Sequence, residues 1–327
     1  MHQLTDTNFL ESYTLGQELY SRPDRSVQVR AGQSLAIPNQ KVAFKYIAGP
    51  SYDDSDESHL WETMPPHYNL PLYFGSSKLT NPADPLRSAN VLAFESLYDS
   101  QSSSKLFLPN KNVQPIMKVH KKIVFYQILL ALNHLHSNDI AHMNITLDNV
   151  MIEPANLSTK LIGLSRSVLL QTGKYLKSKN SIHGFSNLST NESPSNSEDY
   201  KRDAATKIDN YTAPENLPSQ DFSSKFSSST GFETDLWNCG IILFTLLTGS
   251  FPFSSPSPST LKSQIKSGAY TLPFSLLSSP SPLITTSDSD LLSLLLCPTP
   301  SLRPTVSQAL QHRFFDQLYF NYSDNSS

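Results

Sequence analysis

The stretch from Glu233 to Gly249 constrains the fold of this chain more than any other part of its sequence. It reads ETDLWNCGIILFTLLTG, and a helix drawn through it carries apolar side chains on almost every face. A helix that is hydrophobic nearly all round is buried on most sides, so the stretch predicts a buried helix. Gly249 and Pro252 follow the last apolar turn, and both are typical of a helix end.

Length and composition place the chain among ordinary globular proteins. The 327 residues allow one large domain or two modest ones with a sizeable core. Apolar residues make up 38% of the chain and charged residues 16%, which indicates a packed interior and loops of low charge. Lys and Arg total 25 against 28 Asp and Glu, a net charge of −3, so nothing indicates a general attraction to nucleic acid or to membranes.

The sequence carries no mark of export. Residues 1–20 lack the basic start and the apolar run of a signal peptide, and no window reaches the length of a transmembrane helix. Cys239 and Cys297 lie among apolar neighbours, which predicts two buried thiols rather than a disulfide or a metal site. We therefore expect a soluble intracellular protein, in the cytoplasm by default and with the nucleus left open.

The N-terminal part of the sequence predicts a small antiparallel sheet. Residues 12–50 alternate polar and apolar side chains between turn signals, as strands of such a sheet do. One of these strands, Val42–Ala48, has Lys45 at its middle, which taken alone is typical of a solvated face. Residues 76–90 predict a polar loop, and residues 91–97 predict the strand that follows it.

Helical spacing predicts two further helices. In the first, four residues repeat at helical intervals: Glu57, Leu60, Trp61 and Met64. This helix must end before Pro65, because the residue before a proline avoids the helical conformation. The second helix, Lys118–Ser137, has one buried stripe and leads into Ile140–His142. Toward the C-terminus, Ser/Pro-rich loops are predicted at 254–260 and 278–289, and closing helices at 290–296 and 304–315.

Two short segments resemble the signature of a known enzyme family. His142–Asn149 reads HMNITLDN and Gly163–Ser165 reads GLS, where eukaryotic protein kinases have the catalytic loop H-R-D-L-x-x-x-N and the metal-binding turn D-F-G. Further motifs match in order: VAFK at 42–45 for V-A-I-K, Ala213–Glu215 for A-P-E, and Leu302-Arg-Pro near the end. By this resemblance the chain is identified as a degenerate member of the Ser/Thr-type protein kinases.

The resemblance implies an α+β, bilobal fold. A small β-rich N-lobe with one helix would span about residues 12–97, and a larger helical C-lobe about residues 98–316, which together form a protein-kinase-like domain at 12–316. Residues 317–327 would be a short polar tail. Four residues match structural positions of the family: His142 in the loop, Asp235 holding the loop backbone, and Glu215 paired with Arg303.

The resemblance also implies where a nucleotide would bind. Lys45 matches the lysine that pairs with the nucleotide phosphates, and Glu57 is the candidate for its helix partner. The remaining matches are Ala43 and Met151 around the adenine, Phe94 as the gatekeeper, and the backbone of Glu95 and Leu97. The glycine loop of the family is not kept, since residues 14–24 retain only Gly16, so ATP is expected to bind weakly.

The residues that would perform the chemistry are replaced. The catalytic base of the family is an Asp where this chain has Asn144, and a Lys two residues later is Thr146. The metal-binding Asp of D-F-G is Gly163, which leaves Asn149 as the matching metal position. Magnesium prefers carboxylate oxygen, so productive Mg²⁺ binding is not expected. Met143 replaces the Arg that would grip a phosphate on the activation segment, so control by that switch is not expected.

The segment from Gly163 to Glu215 corresponds to the activation segment of the family and is longer than usual. Residues 177–201 are rich in Ser, Asn and Lys, which predicts a mobile loop. A regulatory phosphorylation loop and a loop under no selection fit this composition equally well.

Three hypotheses about function follow. The first is a pseudokinase, which acts in signalling as a scaffold or allosteric regulator and binds a protein partner, an active kinase or its substrate. The second is a divergent, weakly active, ATP-dependent Ser/Thr protein kinase. The third is a decaying paralogue with no selected role. Neither nucleic acid nor a membrane is an expected partner.

Overall fold

The structure, a computed structural model, describes most of the chain as two compact units. The described residues are 8–22, 26–48, 55–79, 89–97, 101–102, 118–171, 174–176, 208–217, 231–273, 284–316 and 318. The first unit contains the described residues up to 97 and the second those from 101 onward. The loop predicted to be mobile, 177–201, lies outside the described residues, as does nearly all of the predicted tail at 317–327.

The first unit is built on a five-stranded antiparallel sheet, as the alternation of its residues predicts. The strands are β1 (Tyr13–Ser21), β2 (Val27–Ser34), β3 (Lys41–Ala48), β4 (Tyr73–Leu79) and β5 (Ala89–Glu95). Their order in the sheet is β1-β2-β3-β5-β4, with every neighbouring pair antiparallel. Together with the helical second unit, this sheet confirms the predicted α+β, two-lobed fold.

The two faces of this sheet carry different helices. Lys45 and Phe94 lie on one face, where helix α2 (Ser55–Thr63) contacts them through Glu57 and Trp61. Helix α2 ends before Pro65, as predicted. On the other face, the short helix α1 (Asn8–Glu11) buries Phe9 in a core cluster whose other buried members are Val42, Phe44, Val91 and Ala93.

The predicted polar loop at 76–90 is wrong at both ends, because β4 includes residues 76–79 and β5 begins at Ala89, before the predicted start at Val91. Strand β4 continues to Leu79, and its backbone pairs with β5 from Ser76 opposite Leu92 to Leu79 opposite Ala89. Ser77 is buried although it is polar. The cause is that strand pairing uses backbone groups, and an edge strand with one paired side tolerates polar side chains.

The second unit is organised around the largely apolar helix, which is confirmed as α4 (Phe232–Thr248). Every residue from Thr234 to Leu247 is buried. The other helices are α3 (Lys118–Ser137), α5 (Pro258–Ser267), α6 (Thr286–Leu295) and α7 (Val306–Leu310). Among the helices that the structure describes, none is both long and apolar enough to cross a membrane.

Six short strands of the second unit form two small sheets around the loop that carries the signature motif. They are β6 (Gln101–Ser102), β7 (Ile140–Ala141), β8 (Val150–Ile152), β9 (Thr159–Leu161), β10 (Val168–Gln171) and β11 (Lys174–Leu176). One sheet has the order β6-β8-β9 and the other β11-β10-β7. The pairing of β10 with β7 was not predicted, because two-residue strands have no periodicity to detect.

Three further predictions for the second unit need correction. Helices begin inside both predicted Ser/Pro loops, at Pro258 and at Thr286. Proline suits the first helical position, and Thr285 forms a capping box with Asp288, so these polar stretches start helices rather than exclude them. The closing helix at 304–315 is shorter than predicted. Of the two thiols predicted to be buried, Cys239 is buried and Cys297 is half-buried; both are free.

Candidate functional site

The loop His142–Asn149 is held by a buried carboxylate on α4. Asp235 is 0% exposed, and its two oxygens accept hydrogen bonds from the backbone N–H groups of His142 and Met143, both at 2.8 Å. The Nε2 atom of His136 lies 2.9 Å from the same carboxylate. Since one side chain satisfies two consecutive backbone donors, it fixes the direction in which the loop leaves β7.

His142 is buried in a neutral form. Its Nδ1 accepts from the backbone N–H of Asn144 at 3.2 Å, so the ring proton is on Nε2, which donates to the carbonyl oxygen of Ile162 at 3.0 Å. Burial lowers the pKa of His142 below its ordinary value, and the nearby carboxylate of Asp235 opposes this shift less strongly. The imidazole is therefore a structural link between the loop and the segment before Gly163.

This histidine makes stability depend on pH. The unfolded chain takes up the proton at an ordinary pKa of about 6.5, whereas the folded state resists it, so stability is lost as pH falls below that value. We expect a contribution of up to about 1.4 kcal/mol per pH unit between pH 6.5 and 5.5, measured by urea unfolding. His142→Asn should reduce the slope, whereas the exposed His59→Asn should keep it; equal slopes in all three proteins would contradict the assignment.

Three of the positions that differ from the family motif, Asn144, Thr146 and Gly163, lie next to Asn149. Asn149 Nδ2 donates to the carbonyl oxygen of Asn144 at 2.8 Å, and the backbone N–H of Asn149 donates to the carbonyl oxygen of Thr146 at 3.0 Å. Gly163 has φ 90°, and a Cβ atom built on it would lie 2.8 Å from Asn149 Oδ1. The side chain of Asn149 therefore fills the room that a side chain at 163 would need.

Met143 also fills space at the position where the family has an arginine. Its backbone is left-handed, with φ 60°, which is rare for a bulky side chain. The thioether sulfur packs on Gly231, where an added Cβ would lie 2.7 Å from it. At this position the chain has an apolar contact with the start of α4, not a cation.

Glu215 and Arg303 join distant parts of the second unit. The guanidinium donates to both carboxylate oxygens, at 2.7 and 2.8 Å. Arg303 is only 7% exposed and also donates to the carbonyl oxygens of Glu233 and Cys297, at 2.7 and 2.8 Å. Paired and hydrogen-bonded in this way, a buried charge is stabilised without water.

In the first unit, the predicted partners Lys45 and Glu57 are in contact. Lys45 Nζ lies 2.6 Å from Glu57 Oε2 and 2.8 Å from Oε1, and the glutamate is 7% exposed. Phe94 packs edge-on against Trp61 with ring centroids 5.1 Å apart. This contact places an aromatic wall beside the ion pair.

The other predicted nucleotide-binding residues lie in ordered secondary structure. Ala43 is half-buried on the same face of β3 as Lys45. The backbone N–H of Glu95 donates to the carbonyl oxygen of Leu72 at 2.8 Å, so that donor is already used. Leu97 follows β5 and Met151 lies in β8 of the second unit; both are half-buried.

Sequence reasoning did not identify Tyr211, which contacts the loop His142–Asn149. The hydroxyl oxygen of Tyr211 accepts from the backbone N–H of Leu147 at 3.1 Å. A tyrosine near the A-P-E motif carries no pattern that points to a loop 64 residues earlier in the chain. Only the tertiary structure reveals the contact.

One carboxylate holds the loop on the buried helix α4, and a glutamate–arginine pair holds the neighbouring segment. This is the arrangement of a protein kinase domain. The model of the protein kinase domain family matches residues 86–315, and the chain belongs to that family.

Curated relatives are kinases by name and longer than this chain. The human phosphorylase b kinase gamma catalytic chain, liver/testis isoform, is 28% identical over 93% of this chain and 65% of its own length. The protein kinase domain-containing protein ppk9 of Schizosaccharomyces pombe is 23% identical over 85% of this chain and 43% of its own. A protein of Dictyostelium discoideum named "Probable serine/threonine-protein kinase PLK" is 27% identical over 70% of this chain and 20% of its own. The chain thus spans less than two thirds of these relatives.

Proposed function

We propose that this chain is a pseudokinase, a kinase-like domain that acts in signalling as a scaffold or allosteric regulator. One observation carries the proposal: the positions of both catalytic carboxylates hold Asn144 and Gly163, while Asn149 fills the space beside Gly163. The loop frame around them is kept by Asp235 and His142. A loop that keeps its conformation without the two catalytic carboxylates suits a domain that partners recognise by its shape.

The first chemical deficit is the base. The amide of Asn144 is not basic near neutral pH, so it cannot accept the proton of a substrate hydroxyl. Loss of a general base typically slows a reaction about 10²–10⁴-fold. Thr146 adds a further deficit, because a hydroxyl supplies no positive charge to a transferring phosphoryl group.

The second deficit is the metal. Magnesium is bound in such enzymes by one or two carboxylates together with substrate phosphates. Asn149 offers a neutral amide whose nitrogen is engaged by Asn144, and Gly163 offers no side chain. No group of three or more His, Cys, Asp or Glu side chains within the described ranges is arranged to hold a metal ion. The residues present do not fit Mg²⁺, and the two deficits should multiply.

The expected ligands follow from what remains. The Lys45–Glu57 pair keeps a cation on the sheet, which supports weak ATP binding without productive Mg²⁺. The partner we propose is a protein, either an active kinase or a kinase substrate. It would recognise the domain surface, since phosphate transfer is not required for that.

Two measurements test the proposal. We expect no transfer of radiolabelled phosphate from Mg-ATP to a Ser/Thr peptide library or to the chain itself. Because ATP is expected to bind weakly, it should raise the free energy of unfolding only slightly, by about 0.4 kcal/mol when its concentration reaches its dissociation constant. Magnesium should not increase that effect. Phosphate transfer that disappears in the Lys45→Met variant would overturn the proposal, because it would originate from this domain.

A second candidate is a weakly active Ser/Thr protein kinase. The intact contact between Lys45 and Glu57, at 2.6 Å, favours it, as do the names of the relatives. This alternative predicts slow transfer that requires magnesium and Lys45. It also predicts a larger thermal shift with Mg-ATP than with ATP alone.

A further inference from the structure

Tyr211 links the segment 208–217 to the loop 142–149, to helix α4 and to Phe251. Its hydroxyl oxygen accepts from the Leu147 N–H at 3.1 Å, and its carbonyl oxygen accepts from Asn238 Nδ2 of α4 at 2.7 Å. Its ring packs edge-on against Phe251, with centroids 5.4 Å apart. Its own N–H donates to Asp209 Oδ1 at 3.0 Å. The residue is therefore anchored at its backbone, its ring and its hydroxyl.

The phenol remains neutral under all ordinary conditions. Burial raises the pKa of Tyr211; the hydrogen bond from the Leu147 N–H opposes this shift and the carboxylates of Asp148 and Asp209 add to it, so that the pKa is raised to about 12. The hydrogen bond to the loop is consequently a permanent neutral contact. A change of pH within the physiological range cannot release it.

The second residue of the loop His142–Asn149 is not a cation that could bind a phosphate. Met143 occupies that position and packs its thioether on Gly231. The segment 208–217 is nevertheless attached to the loop at Leu147 through Tyr211 and to the turn before α7 through Glu215. Both attachments use side chains that need no modification.

We propose that Tyr211 is a positioning residue that fastens segment 208–217 to the retained catalytic loop without phosphorylation. The hydroxyl of Tyr211 and the N–H of Leu147 form the fastening. This inference rests on the proposed function in treating the loop as a retained frame. According to this inference, the loop is held by a permanent hydrogen bond and not by a phosphate that is added and removed.

Removal of the hydroxyl tests the contact directly. In phosphatase-treated protein, Tyr211→Phe should accelerate hydrogen exchange of the amides in 208–217 and 142–149 about tenfold, the loss expected for one partly buried hydrogen bond. Tyr270→Phe is the matched control. Tyr270 is another half-buried tyrosine of the second unit, and its ring packs against Phe244 and Phe253. This control should leave exchange in both segments unchanged.

A double-mutant cycle separates the contact from general loss of packing. Leu147→Pro removes the N–H donor at the first residue of a 3₁₀ turn, where proline is accepted, and Thr146 before it is extended, as a residue before proline should be. In the Leu147→Pro background, Tyr211→Phe should cause no further acceleration. If it still accelerates exchange about tenfold, the hydroxyl acts elsewhere and the proposal is wrong.

Two other outcomes would also overturn the proposal. One is unchanged exchange in Tyr211→Phe. The other concerns the wild-type protein: after phosphatase treatment its amides would exchange as fast as those of Tyr211→Phe, and only the untreated wild-type protein would exchange more slowly. None of these measurements uses ATP, so failure of this inference and failure of the proposed function can be told apart.

Discussion

Restoring both missing carboxylates, by Asn144→Asp together with Gly163→Asp, will not produce an active kinase. We expect phosphate transfer from Mg-ATP to stay at least about a thousandfold below the 1–100 s⁻¹ typical of protein kinases. The reason is that Gly163 has φ 90° and its missing Cβ would lie 2.8 Å from Asn149 Oδ1. An aspartate at 163 can be accommodated only if Asn149 rotates away and gives up its hydrogen bond to Asn144.

Stability measurements should locate the obstacle. Gly163→Asp alone should lower the free energy of unfolding by about 2–4 kcal/mol, from backbone strain and the lost hydrogen bond. Asn149→Ala removes the atoms that a new side chain would meet, so the same substitution should cost less in that background. Asn144→Asp is the control, because it changes a side chain without adding volume.

Magnesium-dependent transfer by the doubly restored protein would contradict this expectation, provided that Lys45→Met abolishes it. It would mean that Asn149 yields easily and that the two absent acids were the whole deficit. An equal cost of Gly163→Asp with and without Asn149 would contradict the steric argument separately.

The second large effect should come from Arg303→Met. This substitution leaves the Glu215 carboxylate largely buried without its cation, and breaking such a pair costs about 3–5 kcal/mol. It also removes the donors to the carbonyl oxygens of Glu233 and Cys297. Urea unfolding followed by near-ultraviolet circular dichroism of the tryptophans should report the loss, since Trp237 lies 5.1 Å from the guanidinium.

A surface arginine provides the control for this measurement. Arg313 pairs with Asp290 at 2.8 Å, but their side chains are 60% and 43% exposed, so Arg313→Met should cost about 1 kcal/mol or less. Glu215→Leu combined with Arg303→Met should be less destabilising than the sum of the two single substitutions, because no unpaired charge remains. If Arg303→Met costs no more than Arg313→Met, the buried pair does not hold the segment.

The sequence predicted an element correctly where its apolar residues form a strong pattern. Helix α4 was predictable because its apolar residues cover every face, and strand β3 because its residues alternate around Lys45. Polar stretches were misread. Ser76–Leu79 pairs through its backbone, and the helices beginning at Pro258 and Thr286 start on capping chemistry, so apolar periodicity carried no signal for either.

The sequence by itself determined which chemical groups are available: an amide at 144, a hydroxyl at 146 and no side chain at 163. No folding can turn these groups into carboxylates, so the expected deficit in phosphate transfer did not depend on the structure. Only the tertiary structure decided that Asn149 closes the space beside Gly163 and that Tyr211 reaches Leu147. Neither contact joins neighbours in the sequence: the ends of the β8–β9 hairpin bring Asn149 to Gly163, and the packing of whole elements brings Tyr211 to Leu147.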